Sequence, residues 1–72
     1  MRRTPVTSSA LASVGYEPRT AELEIEFTSG DVYRYFAVPP SVHHDLMAAD
    51  SHGRFFQGHI RDRYPTRQVR PE

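Results

Sequence analysis

The chain has 72 residues, no cysteine and no tryptophan, and nine arginines balanced by nine acidic side chains. That length makes one domain that buries only about 60% of its unfolded surface, and the missing thiols exclude a disulfide staple, a thiolate zinc site and a thiol nucleophile. Zero formal charge speaks against a generic polyanion binder, for which a clearly basic domain is expected.

No apolar run approaches the roughly 20 residues that span a bilayer, and Met-Arg-Arg-Thr-Pro leads into no apolar signal core. A cytoplasmic protein without membrane contact is the expectation, monomeric or weakly dimeric. The charge is unevenly placed. Residues 17–31 hold Glu17, Glu22, Glu24, Glu26 and Asp31 against Arg19 alone. Residues 52–72 hold Arg54, Arg61, Arg63, Arg67 and Arg70 against Asp62 and Glu72. Arginine in place of lysine favours bidentate contacts, although genomic base composition accounts for the bias more simply.

In chain order, residues 1–5 read as a frayed start, and Ser8–Tyr16 as a first strand rich in small residues. Pro18 sets a turn in Tyr-Glu-Pro-Arg-Thr. Ala21, Leu23, Ile25 and Phe27 then alternate with Glu22, Glu24, Glu26 and Thr28, the pattern of a strand with one dry and one wet face. Gly30 ends it, and Asp31–Val38 is its partner strand. The hairpin loop is either Ser29-Gly30 or Thr28-Ser29-Gly30 with a left-handed Gly30. One residue of register moves every side chain to the other face. The longer loop is favoured because it pairs Arg34 with Glu24 and sets Leu23 and Ile25 opposite Tyr35 and Tyr33.

Val38-Pro39-Pro40 stops the sheet, and Pro40 suits a helix start. Val42, Leu46 and Ala49 share a stripe. Asp50 or Ser51 can cap a second helix, from Gly53 to Arg63, in which Phe56, Ile60 and Tyr64 align beside Phe55. Tyr64 precedes Pro65 and ends the element. Residues 66–72 read as a polar tail. The predicted architecture is α+β: a three-stranded antiparallel meander followed by two short helices on one face, as one domain over 1–72 with its ordered part at about 7–65.

These residues carry a pattern. Ser8-Ser9, Val14-Gly15-Tyr16, Leu23-x-Ile25-x-Phe27-x-x-Gly30, Val32-Tyr33-x-Tyr35, Val38-Pro39, Ala49-x-Ser51-x-Gly53-x-x-Phe56 and Ile60-Arg61-x-x-Tyr64 together resemble the KTSC domain, over about Thr7 to Pro65. The resemblance implies a small bacterial or phage domain, also present at the C-terminus of some lysyl-tRNA synthetases, with no established catalytic residues. It also implies a link to RNA metabolism through that association. Gln57 departs from the asparagine of many relatives.

Candidate sites were weighed against ordinary packing. Arginines for phosphates and aromatic platforms for bases make an RNA surface. Arg54, Arg61 and Arg63, with exposed Tyr33 and Tyr35, are the candidate nucleic-acid-binding residues. Arg54 and Arg61, seven apart, would project from the same side of a continuous helix. The competing assignment leaves Phe55, Phe56, Ile60 and Tyr64 in the core and pairs Arg61 with a glutamate of the second strand. His43, His44, His52 and His59 lack metal-ligand spacing, so no metal is expected. No serine sits in an activating context, so no catalytic residue, small-molecule substrate or cofactor is expected. Gly53 reads as a close approach between the two helices. The function expected is a non-catalytic binding module contacting RNA (tRNA or single-stranded) or an RNA-processing partner. The alternative is a protein-interaction accessory without nucleic-acid binding.

Overall fold

In the computed structural model, which describes residues 1–69, the chain forms an antiparallel sheet and two helices. The strands are β1 (Thr4–Pro5), β2 (Leu11–Glu17), β3 (Glu22–Phe27), β4 (Val32–Tyr35) and β5 (Thr66–Val69). The helices α1 (Pro40–Ala48) and α2 (His52–His59) lie between β4 and β5. The sheet order is β1-β2-β3-β4-β5. The α+β class and the helical pair agree with the sequence reading, whereas the sheet has five strands rather than three. The two additional strands come from segments read as a frayed start and a polar tail. Both are short and polar, with no alternation of their own. Pairing with β2 and β4 makes them strands, through backbone groups and not through a side-chain pattern. Residues 70–72 of the expected tail lie outside the described residues.

The hairpin register follows from the loop. Glu24 stands opposite Arg34, Leu23 opposite Tyr35 and Ile25 opposite Tyr33. The Phe27 and Gly30 amides donate to Asp31 O and Phe27 O, both at 2.9 Å. Gly30 has φ 99°, which L side chains rarely adopt. Thr28-Ser29-Gly30 is therefore the loop, as favoured from the sequence.

β2 is irregular where the sequence pattern is weak. Its register slips between Leu11 and Ser13 against β3, leaving Ala12 as the extra residue of a bulge. The slip turns Leu11 and Val14, both fully buried, to one face and Ser13 to the other. Without it Leu11 and Ser13 would share a face.

One sheet face carries Leu11, Val14, Leu23, Ile25 and Tyr35, and the core closes over it with Val38, Leu46, Phe56 and Ile60. Pro40 occupies the first turn of α1, and Leu46 is the residue α1 buries. Ser51 caps α2, its hydroxyl accepting from the Arg54 amide at 3.2 Å. This helix ends at His59, with Ile60 as its C-cap. It stops before Arg61 rather than reaching Arg63, because the chain turns there to start β5 and Asp62 takes a left-handed φ of 62°. Gly53 has its near neighbour in Ala10, whose Cβ would lie 3.4 Å from an added Cβ. The close approach is thus between α2 and the start of β2, and not between the helices.

The opposite sheet face is charged. Glu24, only 3% exposed, accepts from Arg34 Nη2 at 2.7 Å and from Arg3 Nη1 at 2.5 Å. Arg3 Nε also donates to Ser13 Oγ at 3.0 Å, and that hydroxyl donates to Glu26 Oε1 at 2.8 Å. Gly15 lies beneath this segment. A Cβ there would stand 2.7 Å from Arg2 O and 3.0 Å from Arg3 Cγ, so glycine lets the N-terminal strand lie flat on the sheet.

Candidate functional site

Between the ends of β3, β4 and β5 and the turn after α2 lies a pocket of about 400 Å³. Phe27, Tyr33, Tyr35, Phe56, Gln57, Arg61, Asp62 and Thr66 line it. Antiparallel pairing places it. Tyr33 and Tyr35 are two apart on β4 and share the core face. Helix α2 sets Phe56 against them, while β5 brings Thr66 opposite Tyr35. Four rings form the wall, in edge-to-face contact. Phe27 meets Tyr33 at 5.9 Å and Phe56 at 5.2 Å between centroids, and Tyr35 meets Phe56 at 5.6 Å.

The polar groups stand at the rim. Arg61 Nη1 donates to Gln57 Oε1 at 2.9 Å, which orients the guanidinium. Arg61 Nε lies 3.9 Å from Asp62 Oδ2, too long for a hydrogen bond, and the two side chains are 59% and 92% exposed. Burial, with Tyr33 nearby, pushes the Tyr35 phenol up to about 12. Its hydroxyl therefore stays protonated through the physiological range.

Of the five residues singled out from the sequence, Tyr33, Tyr35 and Arg61 converge here. Arg54 lines a second, shallower depression with Ser9, Ala10, Ser51, Gly53, Gln57 and Gly58, and Arg63 lines neither. Three expectations are corrected. Tyr35 is not an exposed platform, since it is only 5% exposed and its ring is part of the core. Arg54 and Arg61 do not project from one helix, because α2 ends between them. Nor does Arg61 pair with a glutamate; Arg34 and Arg3 hold Glu24 instead. Sequence reasoning missed Gln57, Asp62 and Thr66 as pocket groups. Thr66 lay in the supposed tail, and Asp62 in the supposed helix.

The histidines go elsewhere. His43 stacks on Tyr16 at 4.7 Å, and His59 on Phe55 at 4.3 Å. His52 Nδ1 lies 2.8 Å from Leu46 O, at the turn joining the helices. Among the described residues no three acidic or histidine side chains gather as a metal site, and no helix is long and apolar enough to cross a membrane.

Fold and pocket together define a small α+β domain: one five-stranded antiparallel sheet, one face covered by two helices, with an aromatic pocket where that cover ends. The KTSC domain family model matches residues 7–64, and the chain belongs to the KTSC domain family. A KTSC domain protein from Yersinia pestis superposes with a TM-score of 0.94 at 40% identity, over 96% of this chain and 97% of that one. A protein from Tsukamurella paurometabola is 47% identical over 60 residues, covering 83% of this chain and 90% of its own. A lysine–tRNA ligase from Nostoc punctiforme is 44% identical over 61 residues, which are 85% of this chain but 11% of the ligase.

Proposed function

We propose that this chain is a non-catalytic binding module that contacts RNA, or an RNA-processing partner, through a surface centred on the Tyr33–Tyr35–Arg61 pocket. The observation that carries the reading is the convergence of Arg61 with Tyr33 and Tyr35 of β4, which are distant from it in sequence and brought to it by the fold. Aromatic walls with an arginine at the rim are the elements from which RNA modules build base and phosphate contacts. The similarity to a lysine–tRNA ligase supports the same direction, since that protein's name states an action on tRNA. In this reading Arg54 and Arg63 add cationic contacts outside the pocket, and the setting is the cytoplasm.

The test is an NMR titration of labelled protein with total tRNA and short single-stranded RNA at physiological salt. Shifts should cluster on Tyr33, Tyr35 and Arg61, and affinity should fall with salt at a slope near −0.7 per phosphate contact. A silent spectrum at saturating RNA rejects the reading. A protein-interaction module without nucleic-acid binding is favoured by a different observation. β5 ends the sheet, and its outer edge suits addition of a partner strand. Recovery of one nuclease-resistant protein partner, with no RNA, would select that alternative.

A further inference from the structure

The aromatic pocket is lined by two phenols, Tyr33 and Tyr35, whose hydroxyls make no hydrogen bond among the described residues. Among the described residues the Tyr16 hydroxyl is bonded, donating to Val38 O at 2.6 Å. No such bond engages the Tyr35 hydroxyl, although the residue is more than nine-tenths buried. Nor is that oxygen sealed from solvent without a partner. Tyr35 is among the residues that line the pocket. A buried phenol packed edge-to-face on Phe56, in the lining of an aromatic cavity, is a preorganised donor for a ligand there.

The remaining groups narrow what fits. The wall is carbon from Phe27, Tyr33 and Phe56, which suits a flat apolar surface. The rim offers both donors and acceptors: the Arg61 guanidinium, the Gln57 amide, the Asp62 carboxylate and the Thr66 hydroxyl. A rim with both signs of charge does not select a bare anion. It suits a planar ring whose edge carries donors and acceptors together, attached to one negative group that Arg61 can reach. The volume, about 400 Å³, lies in the range of small-ligand sites and accommodates a nucleobase.

We infer that this pocket holds a single unstacked nucleobase of single-stranded RNA, its edge on the Tyr35 hydroxyl and its phosphate on Arg61. The inference rests on the RNA reading above and deepens it. A base inside a duplex cannot enter, so the site reads unpaired nucleotides only. Gln57 is a positioning residue, holding the Arg61 guanidinium at the rim.

The experiment is a titration of the labelled full chain with the four nucleoside 5′-monophosphates, a short single-stranded RNA and a duplex of matching sequence. It is repeated with Tyr35→Phe and Arg61→Ala. Tyr35→Phe breaks no bond within the described residues, so its melting temperature should stay at the parent value while single-stranded RNA affinity falls roughly tenfold. Arg61→Ala should weaken binding and lower the salt slope by about 0.7. The duplex should leave the pocket resonances unmoved. RNA binding that Tyr35→Phe leaves intact, with shifts on Arg54 and Arg63 instead, overturns the base pocket while the RNA reading stands. Pocket shifts produced equally by inorganic phosphate overturn it too. Absence of any response to nucleotide or RNA overturns both, as does a response only to a tyrosine-ended peptide.

Discussion

Glu24 shows how a strand's wet face becomes part of the structure. It is one of three glutamates alternating along β3, yet it alone is buried, because Arg34 reaches it from β4 and Arg3 from the N-terminal segment. Burial by itself would push its carboxyl up, but the hydrogen bonds and charges of Arg34 and Arg3 outweigh it and hold the pKa below the ordinary 4.5. A carboxylate whose folded-state pKa is depressed contributes stability that is complete above its unfolded value and lost as pH falls through the folded one. The urea midpoint should therefore drop on acidification below about pH 4.5, and Glu24→Gln should flatten that part of the decline. At neutral pH Glu24→Ala should cost about 2 kcal/mol. That is less than a fully buried pair, because both arginines remain about one-third exposed and regain water. A midpoint unmoved by Glu24→Ala would mean that the triad is ornamental.

At the scale of elements, β3, its loop and β4 were legible because each carries its own signal. Three glutamates alternate with three apolar residues along β3, Gly30 marks the loop, and the Glu24–Arg34 pairing favours one of two registers. Both helix starts were equally local, in Pro40 and Ser51. β5 was not legible, since Thr-Arg-Gln-Val has no dry face and only the side-by-side pairing with Val32–Tyr35 makes it a strand. Its contribution is testable. Ending the chain after Pro65 should lower stability by on the order of 2 kcal/mol through lost ladder hydrogen bonds. The same truncation leaves β4 as a bare edge, so association should become concentration-dependent in analytical ultracentrifugation. An unchanged midpoint and a monomeric profile would return Thr66–Val69 to the status of a tail.

The whole molecule is a single sheet with two unlike faces, and its stability comes from one of them. The helices cover the apolar face with few large residues, of which Leu46 and Ile60 are fully buried. Domains of this size have a margin of about 3–5 kcal/mol, and truncating a buried isoleucine to alanine removes 2–5 kcal/mol. Ile60→Ala should therefore abolish the cooperative thermal transition near physiological temperature in circular dichroism. Ile60→Val, costing about 1 kcal/mol, should keep it with a lower melting temperature. Survival of the alanine variant with a sharp transition would show that the core is larger than these residues.

Alone, the sequence determined the α+β class, the start of the first helix and the aromatic character of the segment from Phe55 to Tyr64, and it narrowed the hairpin to two registers and the second cap to Asp50 or Ser51. Those follow from periodicity, turn chemistry and capping, which act over a few neighbouring residues. Only the tertiary structure decided that α2 stops before Arg61, that Arg54 and Arg61 part company, and that Tyr35 is buried. It also supplied Thr66 and Asp62 to the same pocket. Each of these depends on which strands lie side by side and where the chain turns to reach them. Such pairings join backbone groups across the molecule, and no short stretch of side chains records them.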